Sequence, residues 1–265
     1  MRLDFLGIGV QKGGTTSLNA YLRCHEGIVV PDRELHFFDN ESLDWFQPPV
    51  ASYHRDVRQI QTSAAGGDYS GSASGGSLPV LHGEVTPIYI YWSPCAERIY
   101  RYNPLIKLIV LLRNPLARAF SHWAMELERG LEDLPFGEAI RQEDQRCQTL
   151  AGSQHRVYSY LDRGRYAVQL QRLFHFFPRS QVLVLRSEDL FTAPTETLRQ
   201  LTDFLGVHPM TQLEPIHARQ GLYSHGLHRK DWEMMAARLD PDITALEDLL
   251  GWDCDLWREP WMPLD

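Results

Sequence analysis

The sequence lacks several features by which whole classes of protein are identified. Its four cysteines, Cys24, Cys95, Cys147 and Cys254, form no CxxC pair, so neither a zinc site nor a disulfide framework is expected. No apolar run approaches the roughly 20 residues that span a bilayer, and the first residues contain no apolar signal-peptide segment. We therefore expect a cytoplasmic protein with reduced thiols and without membrane insertion.

An excess of positive charge is also missing. The 26 Lys and Arg residues are outnumbered by 34 Asp and Glu, which gives a formal net charge of −8. This balance disfavours binding of a polyanion through bulk charge, so no nucleic-acid partner is expected. The hydrophobic content of 43% is ordinary for a globular protein, and we expect residues 1–265 to form a single domain. The sequence does not indicate an oligomeric state.

Short apolar runs alternate with helical patterns along the chain. Residues 3–10 read as a buried strand that enters a glycine-rich loop and then a helix at 16–23. The strongest strand pattern lies at 106–112, and a helix follows to about residue 128. This alternation predicts an α/β fold of three layers, α/β/α, with a mostly parallel central sheet. Further strands are expected at 28–30, 80–85 and 181–186, and further helices at 94–102, 155–177, 194–205 and 241–250.

Residues 62–77 are richer in glycine and serine than the rest of the chain. Ten of the sixteen residues at 62–77 are Gly or Ser, which is typical of a flexible surface loop. Because a strand pattern resumes directly after it, we expect an insertion within the domain and not a boundary between two domains.

The loop after the first strand, GIGVQKGGTTSL at 7–18, has the composition of a phosphate-binding loop. Its glycines allow backbone amides to surround an anion, and the following helix adds its positive N-terminal dipole. The residues expected to contact the anion are Lys12, Gly13, Gly14, Thr15, Thr16 and Ser17.

The same loop departs from the Walker A motif of nucleoside-triphosphate enzymes. Thr15 stands where that motif requires lysine, and the lysine comes three residues earlier, at Lys12. The strand at 106–112 is followed by Arg113 and not by a metal-binding aspartate. A kinase of related fold therefore remains an alternative that both departures disfavour.

KGGTTSL resembles the loop of the sulfotransferases that use 3′-phosphoadenosine 5′-phosphosulfate (PAPS), in particular the heparan-sulfate type and its bacterial relatives. RNPLARAFSHW at 113–123 is similar to the family segment that grips the 3′-phosphate. The resemblance implies a P-loop-like sulfotransferase fold, PAPS as donor, 3′-phosphoadenosine 5′-phosphate (PAP) as product, and no metal. It implies that Arg113 and Ser121 bind the 3′-phosphate, while Arg118 is either a ligand or a solvated helix residue.

ELHFFD at 34–39 resembles the segment that carries the catalytic base of this family. The resemblance implies that Glu34 takes the proton from an acceptor hydroxyl or amine during direct in-line transfer. Lys12 would stabilise the charge that develops on the leaving oxygen. His36 would orient Glu34 or contact the acceptor, although a structural histidine is an equal alternative.

The segment GEVTP at 83–87 departs from the family at one position, where Val85 replaces a lysine. This departure leaves open a non-catalytic nucleotide-binding scaffold. Near the end of the chain, the resemblance implies Tyr223 and Arg229 as weaker nucleotide contacts. A small metabolite or a saccharide is the expected acceptor, and aromatic residues could form either its cleft or the core. They are Trp45, Phe46, Tyr53, Tyr89, Tyr91 and Trp92.

Overall fold

The computed structural model describes residues 2–64, 80–148, 154–210 and 226–264. They divide into two compact units. The first contains the described residues of Met1–Leu111 and Leu173–Ala218, and the second those of Leu112–Arg172 and Arg219–Asp265. The expectation of one domain stays a prediction.

A five-stranded sheet in the order β2-β3-β1-β4-β5 is the basis of the first unit. β1 pairs in parallel with both β3 and β4, and β2 pairs in parallel with β3. β1 is buried at every residue, as expected for an inner strand with apolar side chains on both faces. The α/β class with a mostly parallel central sheet is thereby confirmed. The strands are β1 (Phe5–Gly9), β2 (Ile28–Val29), β3 (Leu81–Val85), β4 (Lys107–Leu112) and β5 (Val182–Arg186).

Helices follow the strands along the chain. In the first unit, α1, α7 and α8 contribute apolar side chains to one core cluster with alternate residues of the strands, such as Phe5, Ile109 and Leu185. Within the described residues the helices are α1 (Thr15–Arg23), α2 (Val50–Ala64), α3 (Cys95–Tyr102), α4 (Pro115–Glu128), α5 (Phe136–Gln148), α6 (Tyr166–Phe176), α7 (Ser187–Thr192), α8 (Pro194–Leu205) and α9 (Arg229–Leu250).

The second unit is helical. α4 begins with a strong cap, because the Asn114 side chain accepts hydrogen bonds from the N–H groups of Leu116 and Ala117 at 2.9 and 3.2 Å. Pro115 follows at the first helical position, where its missing N–H costs nothing. The cap fixes the direction in which α4 leaves the residue before it, Arg113.

The predicted helix at 155–177 is wrong in its first half. The ring of His155 accepts the N–H groups of Val157 and Tyr158 at 3.0 and 3.1 Å. The buried carboxylate of Glu143 accepts the N–H of Leu161 at 2.8 Å. These side chains satisfy the backbone locally and compete with helix formation, so α6 begins only at Tyr166.

The predicted helix at 241–250 ends correctly at Gly251, which has the left-handed φ of 67°, but it begins twelve residues too late. α9 starts at Arg229 and contains Pro241 in its interior. Asp240 does not cap a new helix, because its carboxylate accepts the Arg258 Nε–H at 2.7 Å. A continuous buried face offsets the backbone hydrogen bond that Pro241 removes; it consists of Met235, Leu239, Ile243 and Leu246.

The predicted loop at 62–77 begins inside a helix, since α2 continues through Ala64. Residues 65–77 of that prediction lie outside the described residues. As for the membrane, no helix in the described ranges combines the length and the apolar character that a bilayer crossing requires.

Two leucines, Leu108 within β4 and Leu105 just before it, test how the sheet is stabilised. Leu108 is completely buried, whereas Leu105 is 81% exposed. We expect Leu108→Ala to lower the free energy of unfolding by about 2–5 kcal/mol, because it leaves a cavity in a packed core. Leu105→Ala, the matched control, is expected to change it by about 0.5 kcal/mol or less. Urea unfolding measures both, and equal effects would contradict the assigned burial.

Candidate active site

Loops from three neighbouring parallel strands leave the same edge of the sheet, since parallel strands point their carboxyl ends in one direction. Hydrogen bonds tie these loops together. The Asn19 side chain of α1 donates to the Pro31 carbonyl after β2 at 2.9 Å. The Thr86 N–H after β3 donates to the Gly7 carbonyl of β1 at 2.8 Å. The glycine-rich loop that contains Lys12 and the segment that contains Glu34 thus belong to one sheet edge.

Close packing fixes the path of the first loop. The Val10 N–H donates to the Leu111 carbonyl at 3.0 Å, and the Gly13 N–H donates back to the Val10 carbonyl at 2.9 Å. A Cβ atom at Gly13 would lie 2.7 Å from the Leu111 carbonyl oxygen. Glycine is therefore required at this position, because neither backbone can yield.

The start of α1 is suited to an anion. Gly14, at φ 91°, occupies the N-cap position and offers no side chain to the first-turn N–H groups. Thr15 and Ser17 are buried, and Thr16 is exposed. Lys12 is partly buried in the turn before the helix. The loop therefore combines N–H donors, hydroxyls and a cation, as a phosphosulfate group would need.

Glu34, His36 and Asp39 form a hydrogen-bonded row in the segment after β2. The His36 Nε2 lies 3.1 Å from Glu34 Oε2, and its Nδ1 lies 3.1 Å from Asp39 Oδ2. Asp39 is completely buried, whereas Glu34 and His36 are half exposed. The hydrogen bonds to Asp39 and then to Glu34 raise the pKa of His36 to about 9. The imidazole is therefore a cation at neutral pH, and both of its N–H groups donate.

Two of the predicted catalytic residues have an unusual backbone. Within the described part of the chain, Lys12 at φ 66° and His36 at φ 53° are the non-glycine residues with positive φ. This conformation is uncommon for residues with a Cβ and is enriched at functional sites. The strain therefore coincides with two of the three residues to which the sequence analysis assigns chemistry, the third being Glu34.

A second buried carboxylate, that of Glu84, lies behind the Glu34 segment. It accepts hydrogen bonds from the hydroxyls of Tyr53 at 2.5 Å, Tyr89 at 3.0 Å and Thr86 at 3.1 Å. Burial raises the pKa of Glu84 to about 7, although the three hydroxyls act in the opposite direction. Glu84 belongs to the GEVTP segment, but the sequence analysis gives it no role.

A cavity of about 200 Å³ adjoins Glu34. Its walls include Phe37 and Tyr53, with the charged side chains of Arg33 and Asp56 beside them. The aromatic residues named from the sequence thus differ in their exposure to solvent. Tyr53 and Tyr89 are buried, whereas Phe46 is 96% exposed.

The second motif lies in the other unit. Arg113 directly follows β4 and is partly buried, and the Tyr166 hydroxyl donates to its carbonyl at 2.9 Å. Ser121 is buried on α4. Arg118 is not solvated: it is completely buried, and its guanidinium donates to the Tyr160 carbonyl. The predicted alternative of a solvated Arg118 is therefore wrong.

The remaining predicted residues are less informative. Arg229 is the first residue of α9 and is exposed. Tyr223 lies outside the described residues. Three carboxylates, Glu247, Asp253 and Asp255, offer oxygens within 4.8 Å of one another, but Arg258 forms ion pairs with the first and the third. The expected absence of a metal stays a prediction.

Fold and loop define a protein of the α/β class with a glycine-rich loop between its first strand and first helix. The family model described as "Sulfotransferase domain" matches residues 2–220, so the chain belongs to the sulfotransferase domain family. It is 30% identical over 200 residues to mouse heparan sulfate glucosamine 3-O-sulfotransferase 3B1, covering 76% of this chain and 45% of the relative.

Other relatives give the same result. Human heparan sulfate glucosamine 3-O-sulfotransferase 5 is 26% identical over 210 residues, which cover 76% of this chain and 53% of that protein. The chain thus spans about half the length of these curated relatives. The crystal structure of a sulfotransferase from Alicyclobacillus acidocaldarius superimposes with a TM-score of 0.78 and 26% identity, covering 98% of this chain and all of the other. The fold therefore extends over nearly the whole chain.

The charge of His36 can be measured directly. We expect its imidazole to titrate near pH 9 in NMR spectra, and Asp39→Asn to lower that pKa further than Glu34→Gln does, because Asp39 has the larger effect. Since the folded-state pKa is raised above about 6.5, the stabilisation is complete below that pH and is lost as the pH rises towards 9. His36→Gln assigns the signal, and a wild-type titration near 6.5 would contradict the hydrogen-bonded row.

Proposed function

We propose that the protein is a sulfotransferase that uses PAPS as its donor and transfers the sulfuryl group to a hydroxyl or amine of an acceptor. The observation that carries the proposal is the hydrogen-bonded row Glu34–His36–Asp39 at the sheet edge that also holds the Lys12 loop. Membership of the sulfotransferase family supports the reaction class.

The residues present fit the donor. The first turn of α1, with Thr15, Thr16 and Ser17, would hold the 5′-phosphosulfate, and Gly14 leaves its N–H groups uncapped by a side chain. Arg113 and Ser121 would bind the 3′-phosphate through charge-assisted hydrogen bonds. PAPS supplies the activated sulfuryl group when it is bound.

Glu34 is the base in this mechanism. His36 holds one carboxylate oxygen at 3.1 Å, and the half-exposed carboxylate can accept a proton from the acceptor. Lys12 stabilises the negative charge that develops on the leaving side. No enzyme nucleophile is required, because the acceptor oxygen or nitrogen attacks sulfur directly.

The acceptor enters through the cavity beside Glu34. Its volume of about 200 Å³ is smaller than the roughly 300–1,000 Å³ of pockets that enclose a drug-sized molecule. It therefore suits one ring of an acceptor, such as the reacting sugar of a saccharide or a small metabolite. The heparan sulfate relatives favour testing saccharides first.

Donor binding can be tested without knowledge of the acceptor. We expect calorimetry to show PAP binding that is much tighter than binding of ATP with Mg²⁺. Lys12→Ala and Arg113→Ala should each weaken PAP about 10- to 100-fold, because a hydrogen bond to a charged group contributes about 1.5–3 kcal/mol. Arg101→Ala, at an exposed ion pair with Glu97, is the control.

A preference for Mg-ATP in that experiment would replace the proposal with the kinase alternative. Failure to bind either nucleotide would contradict PAPS as the donor, whereas tight binding of PAP without turnover would favour the nucleotide-binding scaffold.

Catalysis can be tested with radiolabelled PAPS and two acceptor sets, heparan oligosaccharides and simple phenols. We expect Glu34→Gln to reduce transfer about 100- to 10,000-fold, as loss of a general base does, while PAP binds as tightly as before. Asp32→Asn removes a neighbouring exposed carboxylate of the same segment and is the matched control. Equal transfer by Glu34→Gln and wild type would exclude Glu34 as the base.

A further inference from the structure

Glu84 lies on β3, and its completely buried side chain faces three hydroxyl groups. Tyr53 and Tyr89 donate to one carboxylate oxygen, and Thr86 donates to the other. All three hydroxyls donate to the carboxylate oxygens, which accept hydrogen bonds when Glu84 is ionised, so their protons point towards Glu84. The carboxylate thereby sets the direction of each hydroxyl.

Two of these hydroxyls also accept hydrogen bonds from the segment that contains Glu34. The oxygen of Thr86 accepts the Leu35 N–H at 3.1 Å, and the oxygen of Tyr89 accepts the Phe37 N–H at 3.0 Å. These two N–H groups flank His36 in the chain. The lone pairs that receive them are available because the hydroxyl protons are directed to Glu84.

The arrangement is costly for the fold. A buried carboxylate is poorly solvated even with three hydrogen bonds, and burial is the main cause of the raised pKa of Glu84. The segment that it supports is itself strained, with His36 at φ 53°. A carboxylate that served packing alone could be replaced by an apolar side chain at lower cost. The buried carboxylate and the strained backbone thus occur together, at the place where the backbone on both sides of His36 is held.

We propose that Glu84 is a positioning residue: through the hydroxyls of Thr86 and Tyr89 it holds the backbone on both sides of His36, and so keeps Glu34 and the imidazole in their hydrogen-bonded row. The inference rests on the proposed function only for its effect on turnover. The effect on the geometry of His36 is independent of the reaction.

The test uses single-atom changes in the full chain. Thr86→Val and Tyr89→Phe each remove one hydroxyl, Thr86→Ser keeps the hydroxyl and removes only a methyl group, and Glu84→Gln alters the carboxylate itself. Tyr102→Phe is the matched control, because the Tyr102 hydroxyl accepts the Leu3 N–H at 2.8 Å in the same unit but makes no hydrogen bond with the Glu34 segment.

We expect Thr86→Val, Tyr89→Phe and Glu84→Gln to lower the His36 pKa measured by NMR from about 9 towards 6.5. The reason is that the hydrogen bonds of His36 with Asp39 and Glu34 weaken when the backbone around His36 is no longer held. The kcat for sulfuryl transfer from PAPS, measured with whichever of the two acceptor sets the wild-type protein sulfates, should fall about 10- to 100-fold with PAP affinity unchanged, since small displacements of catalytic groups have effects of this size. Thr86→Ser and Tyr102→Phe should keep both wild-type values.

The proposal is overturned if Thr86→Val and Tyr89→Phe lose stability as Tyr102→Phe does while the His36 titration and kcat stay at wild-type values. Glu84 would then be structural alone. These two variants decide the matter even if Glu84→Gln does not fold. Absence of transfer by the wild-type protein would count against the proposed function, and the His36 titration would still report on Glu84.

Discussion

The central position of β1 is the constraint on which the rest of the structure depends. It pairs in parallel with β3 on one side and with β4 on the other, so the loops that follow these strands leave one edge of the sheet. The close approach of Gly13 to the Leu111 carbonyl then places the glycine-rich loop directly against β4. A side chain at this position would push the loop away from the strand. The position of Lys12 therefore depends on the absence of a Cβ atom at its neighbour Gly13.

The same edge concentrates unfavourable features that a fold alone does not require. Lys12 and His36 have left-handed backbone conformations, and both Asp39 and Glu84 are carboxylates without solvent contact. Each acid is compensated by a specific partner: His36 donates to Asp39, and three hydroxyls donate to Glu84. Buried polar groups of this kind specify one geometry, because every alternative leaves a donor or an acceptor unsatisfied. The geometry of this sheet edge is thus defined by the supporting hydrogen bonds as much as by Lys12, Glu34 and His36.

Features that depend on neighbouring residues in the chain could be predicted from the sequence, whereas features that depend on contacts between distant residues could not. All five strands could be predicted because their apolar runs are local signals, and the loops with Lys12 and Glu34 because their motifs are contiguous. The start of α6 could not, since Glu143 satisfies the backbone of Leu161 from eighteen residues away. The sequence predicts only the part of α9 from Pro241 onwards, because the buried face that compensates for the proline is a tertiary feature. The hydrogen bonds of Glu84 could not be predicted for the same reason, as its partners lie on α2 and after β3.

Val85, the departure from the family motif, can be understood from the same geometry. Its side chain is 5% exposed and belongs to the core cluster, and a Cβ at Gly7 would lie 3.0 Å from its methyl groups. Because side chains alternate along a strand, Val85 faces the core opposite to Glu84. Under the proposed function, positive charge beside the base comes from His36, whose ring is held on both nitrogens. A lysine on a flexible stem would have to be ordered at a cost in side-chain entropy, whereas the imidazolium is already fixed in direction. The loss of one lysine therefore leaves the base with a cation whose position the backbone and Asp39 determine.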